Sequence, residues 1–153
     1  MRRSRVFAPV VQTVRMRLPE PFETFLARPP AQLRVAVVGA SNDPRKFGSI
    51  ILRAVQGRGS RAVPVTPSSS AVDGIAAVAS LGDAAESVDF ASVVVPPARA
   101  LDALGSLPAG VALPVWFQPG SYDDEVLAWC KSRGLPVLVG PCILVEFDAR
   151  RSG

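Results

Sequence analysis

The stretch VAVVGASNDPRKFGSIIL, residues 35–52, decides how this chain is read. A run of small apolar residues ends at Gly39, a polar turn follows, and the apolar spacing beyond it is helical. Strand, loop and helix in that order make a phosphate-binding layout, because the first N–H groups of a helix lack partners within it. The dinucleotide fingerprint G-x-G-x-x-G nevertheless fails here. Ser41 and Pro44 stand at its second and third glycine positions. The Walker pattern fails as well, since its second glycine also falls on Pro44 and no Gly-Lys pair follows.

The loop still has the chemistry of an anion site. Gly39 frees the backbone to turn sharply after the strand. Ser41 and Asn42 offer side-chain donors beside backbone N–H groups, and Pro44 fixes the path. Arg45 and Lys46 put positive charge at a helix start, where the macrodipole disfavours it unless an anion sits there. Gly48 permits close approach at the same point. On these residues alone two readings stand side by side: a phosphate site, or a capped turn with two solvated cations.

Outward from this stretch the rhythm repeats. RVAVV (34–38), RAVPV (61–65), DFASVVV (89–95), LPVWF (113–117) and LPVLVG (135–140) are short apolar runs, and helical patterns separate them. Runs without polar alternation predict strands covered on both faces, hence a parallel sheet. The fold expected is α/β, doubly wound in three layers around a mainly parallel five-stranded sheet. Phe47, Ile50, Ile51, Ala54 and Val55 predict the buried face of the first main helix. VDGIAAVASLGDAAES (72–87) predicts a short strand and a short helix. Ser121 is the expected cap of a helix over YDDEVLAWCKSR (122–133), closed by Gly134. Ligands of such folds bind beyond the carboxyl ends of the strands. Here those ends read GASN, VTPS, VPP, QPGS and GPC, with no bulky apolar plug.

Composition narrows the chemistry. The 153 residues suit one domain, and 48% are hydrophobic, ample for a core. The net charge of +4 is uneven: Arg2, Arg3, Arg5, Arg15 and Arg17 lie in an acid-free arm. Without them 12 basic residues face 13 acidic ones. The near-neutral body argues against nucleic acid as a partner. No apolar run approaches the ~18 residues of a membrane span, and no secretory h-region is seen. Two cysteines and no histidine exclude a disulfide framework and a Cys/His metal site, and a cytoplasmic location is expected. The lack of histidine also removes Ser-His and Cys-His nucleophile pairs. The expected division is a basic arm with a short helix (1–32), the main domain (33–147) and a tail (148–153). The arm reads as a subunit-crossing segment or as an extension before a start at Met16. Pro9 and the lack of an amphipathic period speak against a presequence.

Five blocks carry a resemblance: GASNDPRKFG, VPVTP, VVVPP, VWFQPG and GPCILVE, in this order and spacing from Leu33 to Glu146. The set resembles the small stand-alone CoA-binding domain proteins of bacteria and archaea. It is also similar to the CoA-binding domain of the succinyl-CoA synthetase alpha subunit and of ADP-forming acyl-CoA synthetases. The resemblance implies a Rossmann-like domain that binds coenzyme A or an acyl-CoA, without metal. Carried over, Gly39, Ala40 and Ser41, with Lys46 and Gly48, would face the phosphates, and Asn42 and Phe47 would be further cofactor-binding residues. Val65, Thr66 and Pro67 would lie by the adenosine, and Val95, Pro96 and Pro97 would line the adenine or pantetheine path. The family usually reads V-N-P followed closely by Lys. Here Thr66 replaces Asn, and Ser68, Ser69 and Ser70 follow.

The remaining conspicuous residues have two readings each. Cys142 is either a thiol that meets CoA or a small packing residue. Gln118 either contacts ligand or satisfies its own turn. Asp123, Asp124 and Glu125 read either as a metal or acid–base cluster or, better, as a solvated first helical turn. Trp116 and Trp129 read as core or interface rather than as stacking on a base, and Glu146 as a surface carboxylate rather than as an orienting group near Cys142. The function expected is a non-catalytic CoA-binding module, since the complete synthetases need an ATP-grasp domain and a catalytic histidine. A homo-oligomer is compatible with it. The alternatives are an NAD(P)- or other nucleotide-binding Rossmann protein and an interaction subunit with a vestigial pocket. Against the first stand the missing second glycine and the absence of an acid at the end of the second strand.

Overall fold

The five apolar runs become one parallel sheet. The computed structural model describes residues 17–151. In chain order the elements begin with α1 (Phe22–Ala27), β1 (Arg34–Val38), α2 (Phe47–Gly57) and β2 (Arg61–Val65). A small hairpin, β3 (Ala71–Val72) and β4 (Ile75–Ala76), precedes α3 (Leu81–Ala84) and β5 (Phe90–Val93). Then come α4 (Pro97–Gly105), β6 (Val115–Phe117), α5 (Asp124–Ser132), β7 (Val137–Leu138) and α6 (Ile143–Ala149). The main sheet runs β2-β1-β5-β6-β7, every neighbouring pair parallel. This is the Rossmann-like α/β fold.

Strand alternation sorts the core into two layers. Val35, Val37, Phe90 and Trp116 face α1, α2 and α6. Ala36, Val38, Ala91, Val93, Val115 and Phe117 face α3, α4 and α5. Each sheet face is thus covered by three helices, which is why the strands carry no polar face.

The first layer extends to the N-terminal segment. Phe22 of α1 is fully buried and packs edge-on against Phe90 at 5.7 Å and Trp116 at 5.9 Å. Such aromatic pairs contribute about 0.5–1.5 kcal/mol each beyond their buried area. Glu23 accepts hydrogen bonds from the Leu18 amide (2.9 Å) and from Arg150 (2.8 Å), and Arg150 also pairs with Glu146. An ion-paired clasp with side chains only 10–18% exposed therefore joins α1 to α6. Glu146 is accordingly a clasp residue, not the free surface carboxylate expected. The readings of the arm's first 16 residues lie outside the described residues.

Three local expectations are corrected. The buried face of α2 is Gly48, Ser49, Ile51, Leu52 and Val55, whereas Phe47 and Ile50 are each 38% exposed. Phe47 is the first helical residue and looks over the strand ends instead of under the helix. Asp123, not Ser121, caps α5: its carboxylate accepts from the Val126 amide at 2.9 Å. Ser121 is buried and donates to the Gln118 carbonyl at 2.6 Å. Residues 71–76 form an antiparallel hairpin, not a single strand. Its turn, Asp73 at φ 52° and Gly74 at φ 78°, has the left-handed pair of a two-residue hairpin loop.

Candidate functional site: the cleft at the strand ends

β1, β2 and β5 end level with one another. Val38 is in register with Val65 on one side and Val93 on the other. Two hydrogen bonds of 3.1 Å, Gly39 N–H to Val65 O and Val94 N–H to Val38 O, seal that edge. The chain then diverges. α2 leaves β1 for one sheet face and α4 leaves β5 for the other, so a crevice opens between their first turns. Its cavity is about 640 Å³, within the ~300–1,000 Å³ of small-molecule sites.

The floor and first wall come from the residue 39–48 loop. Gly39 has φ +99°, and a Cβ there would meet Val94 and Val95 methyls at 2.7 Å. Gly48 is under a harder constraint: a Cβ would lie 2.0 Å from the Gly39 carbonyl oxygen. The start of α2 thus rests directly on the strand end. Among the described residues the amides of Phe47 and Gly48 have no protein acceptor, and no side chain caps this helix. Lys46 stands at the N-cap position, exposed and without a hydrogen bond or ion pair from its side chain among the described residues.

The loop's other polar groups are already engaged. Arg45 makes a two-pronged contact with Asp43, both distances 3.0 Å. Those hydrogen bonds hold the Asp43 carboxyl below its usual range and raise the Arg45 guanidinium. Ser41 Oγ accepts from the Asp43 amide at 3.0 Å. Asn42 reaches away from the crevice: its amide nitrogen donates to Ala71 O (2.9 Å) and its oxygen accepts from the Asp73 amide (3.0 Å). It anchors the hairpin. Of the two cations at this helix start, Lys46 alone is free to meet an anion.

The second wall is assembled from β2, α3 and α4. Thr66 is buried, its amide bonded to Val78 O and its hydroxyl to Ser68. Ala79, Ser80 and Leu81 enter from the start of α3. α4 presents Arg99, Asp102, Ala103 and Ser106 to the cavity, positions that share one helical stripe. Ala100 and Leu104 of the same helix are fully buried beneath.

Eleven of the thirteen expected cofactor-contact residues line this cavity: Gly39, Ala40, Ser41, Lys46, Phe47, Gly48, Val65, Thr66, Pro67, Val95 and Pro96. Asn42 and Pro97 do not; Pro97 is the first residue of α4. Cys142 does not either. It precedes α6, half-buried, beyond β7 at the far end of the sheet. Gln118 is fully buried between layers, donating to Ser92 Oγ (3.2 Å) and accepting from the Ile143 amide (2.9 Å). Trp116 is core and donates to Pro141 O at 2.9 Å, and Trp129 lies under the Arg133 guanidinium. The α4 stripe is absent from the residues that the sequence singles out. Its only signal there is that Arg99 and Asp102 fall opposite the Ala100–Leu104 face.

Comparison with known proteins places the chain in a family. The profile of the CoA binding domain family matches residues 33–148. The chain belongs to that family. A conserved hypothetical protein of Pyrococcus furiosus is 31% identical with a TM-score of 0.70, covering 74% of this chain and 98% of its own. A Thermus thermophilus protein is 30% identical with a TM-score of 0.71, covering 84% and 96%. The uncharacterised protein YneT of Bacillus subtilis is 29% identical over 113 residues, 73% of this chain and 83% of YneT.

Proposed function

We propose that the protein binds coenzyme A or an acyl-CoA in the β1–β5 crevice and catalyses no reaction on it. The observation that carries this reading is the unpartnered group of donors at one end of the cavity. The Phe47 and Gly48 amides and the cavity-lining Lys46 belong to the helix start where α2 rests on β1. Such a cluster suits a pyrophosphate. The apolar lining from Val65, Leu81, Val95 and Ala103 suits an adenine or a pantetheine chain. Among the described residues lining the cavity, Lys46, Arg99 and Asp102 alone are ionisable. None is paired with another group as a general acid or base would be. The end of β2 carries Thr66 and no carboxylate, which speaks against a reader of the NAD ribose.

Calorimetry with CoA, acetyl-CoA, NAD, NADP and ATP tests the reading. CoA and acetyl-CoA should bind selectively. Lys46→Ala should weaken them by about 1.5–3 kcal/mol, the range of a hydrogen bond to a charged group. Undiminished CoA affinity in Lys46→Ala would refute the phosphate placement. Selective binding of NAD would refute the ligand class.

A further inference from the structure

The cavity has two walls, and the second also carries a cation. Arg99 lies in the first turn of α4, across the crevice from Lys46. It is exposed, and its side chain makes no hydrogen bond or ion pair among the described residues. Asp102, three residues on and on the same stripe, does not neutralise it. The contrast with Arg45, held by Asp43 through two contacts, is clear. Nor does the end of β2 supply charge: Val65, Thr66, Pro67 and Ser68 line the cavity there without a cation. Besides the group at Lys46, a negative group on a ligand therefore meets positive charge from Arg99 alone among the described lining residues.

We propose that Arg99 is the specificity-determining residue for a phosphate on the ribose, so that the cleft prefers 3′-phosphorylated CoA to dephospho-CoA. The inference rests on the CoA reading above and extends it to the opposite wall of the same site. Two anionic groups on one ligand, a pyrophosphate and a ribose phosphate, match two cations on opposite walls. A planar guanidinium takes a phosphate through two parallel N–H···O bonds. Asp102 beside it is an acceptor suited to the hydroxyl that the phosphorylated ribose retains. The remaining hydroxyl of the stripe is already used, since Ser106 Oγ accepts from the Gly82 amide and donates to Ala103 O.

The test is a two-ligand, three-protein titration by calorimetry at fixed salt. Wild type should bind CoA about tenfold more tightly than dephospho-CoA, the lower end for a charge-assisted bond at a solvent-screened site. Arg99→Ala should bring that ratio near one, with dephospho-CoA affinity kept within about twofold, since one contact is removed from one ligand only. Lys46→Ala should weaken both ligands by a similar factor. A wild-type ratio near one, or a ratio unchanged in Arg99→Ala, overturns this inference and leaves CoA binding standing. Failure of wild type to bind either ligand overturns both. Because Arg99 is exposed and unpartnered, the thermal midpoint of Arg99→Ala should match wild type, so lost discrimination cannot be assigned to unfolding.

Discussion

Replacing Gly48 by alanine tests the junction on which the site is built. The added Cβ would lie 2.0 Å from Gly39 O and 2.8 Å from Gly39 C. An ordinary contact begins near 3.4 Å, so the start of α2 and the end of β1 must separate by more than 1 Å. Neither partner is a side-chain tip that could rotate away. α2 is held from below by Ile51, Leu52 and Val55, all fully buried, and β1 is hydrogen-bonded on both sides. Overpacking of this kind costs about 1–3 kcal/mol, and the backbone contact argues for the upper end. Alanine regains about 1 kcal/mol of helix propensity. The net loss is therefore about 2 kcal/mol, or a fall of about 4–8 °C in thermal midpoint for a domain of this size.

Gly57 supplies the internal control. It ends the same helix, a Cβ added there would meet nothing within 4 Å, and its φ is not positive. Gly57→Ala should be neutral or stabilising by up to about 1 kcal/mol. Paired urea titrations would show the opposite signs. Displacing the Phe47 and Gly48 amides should also weaken CoA by about tenfold or more, since donors must stay within hydrogen-bond reach. A Gly48→Ala protein as stable as Gly57→Ala, with wild-type CoA affinity, would refute the reasoning.

Other consequences can be measured directly. Gln118→Leu leaves the Ile143 amide without its acceptor inside the core and should cost about 1–3 kcal/mol in a denaturant titration; no loss would mean the tie is dispensable. Arg150→Leu leaves Glu23 and Glu146 without their shared cation and should cost about 3 kcal/mol, near the low end for breaking a buried pair, while CoA affinity stays unchanged. Burial pushes the Cys130 thiol from its ordinary 9.0 up to about 11. Stability from its burial is therefore complete below pH 9 and falls by up to about 1.4 kcal/mol per pH unit as pH rises toward 11, because the unfolded thiol ionises first. In the folded protein at pH 8 an alkylating reagent should modify Cys142 and spare Cys130, as intact mass with each Cys→Ser variant would read; modification of Cys130 would contradict its burial.

The five strands are legible because a doubly covered strand advertises itself locally, as a short apolar run between turn residues. Their ends are less so. DFASVVV continues to Val95 in sequence, yet β5 stops at Val93, because Val94 and Val95 turn toward Gly39 and the crevice. The phase of α2 misleads for a related reason. Phe47 looks like a core residue by type, but Gly48 on the strand end rotates the helix so that Ile51, Leu52 and Val55 point inward. The hairpin has a local signal that the single-strand expectation passes over: Asp73-Gly74 between apolar pairs is a strong two-residue turn. Asn42 has no such signal as a hairpin anchor, since its partners lie 29 and 31 residues away. The α4 wall is hidden for the same reason. Helical spacing says that Ala100 and Leu104 are inside, but only the crossover topology says what the opposite stripe faces.

The failed fingerprint at the start of the chain's main domain has a structural answer. In the dinucleotide loop one glycine allows the turn, a second lets backbone approach the pyrophosphate, and a third lets the helix press on the strand. Here the first and third duties are done by Gly39 and Gly48, nine positions apart. The residues between them form a self-sufficient bulge, tied inward by Arg45 to Asp43 and outward by Asn42 to the hairpin. A longer loop moves the helix start away from the turn, so close approach at position 41 no longer requires glycine, and Ser41 can curl onto the Asp43 amide. The helix then arrives with its own amides open and Lys46 as its N-cap. That exchanges a backbone cradle for one built from a helix end and a lysine. A ligand read mainly through its phosphates tolerates the exchange, whereas one read through an acid at the second strand does not, because that strand leads into Thr66.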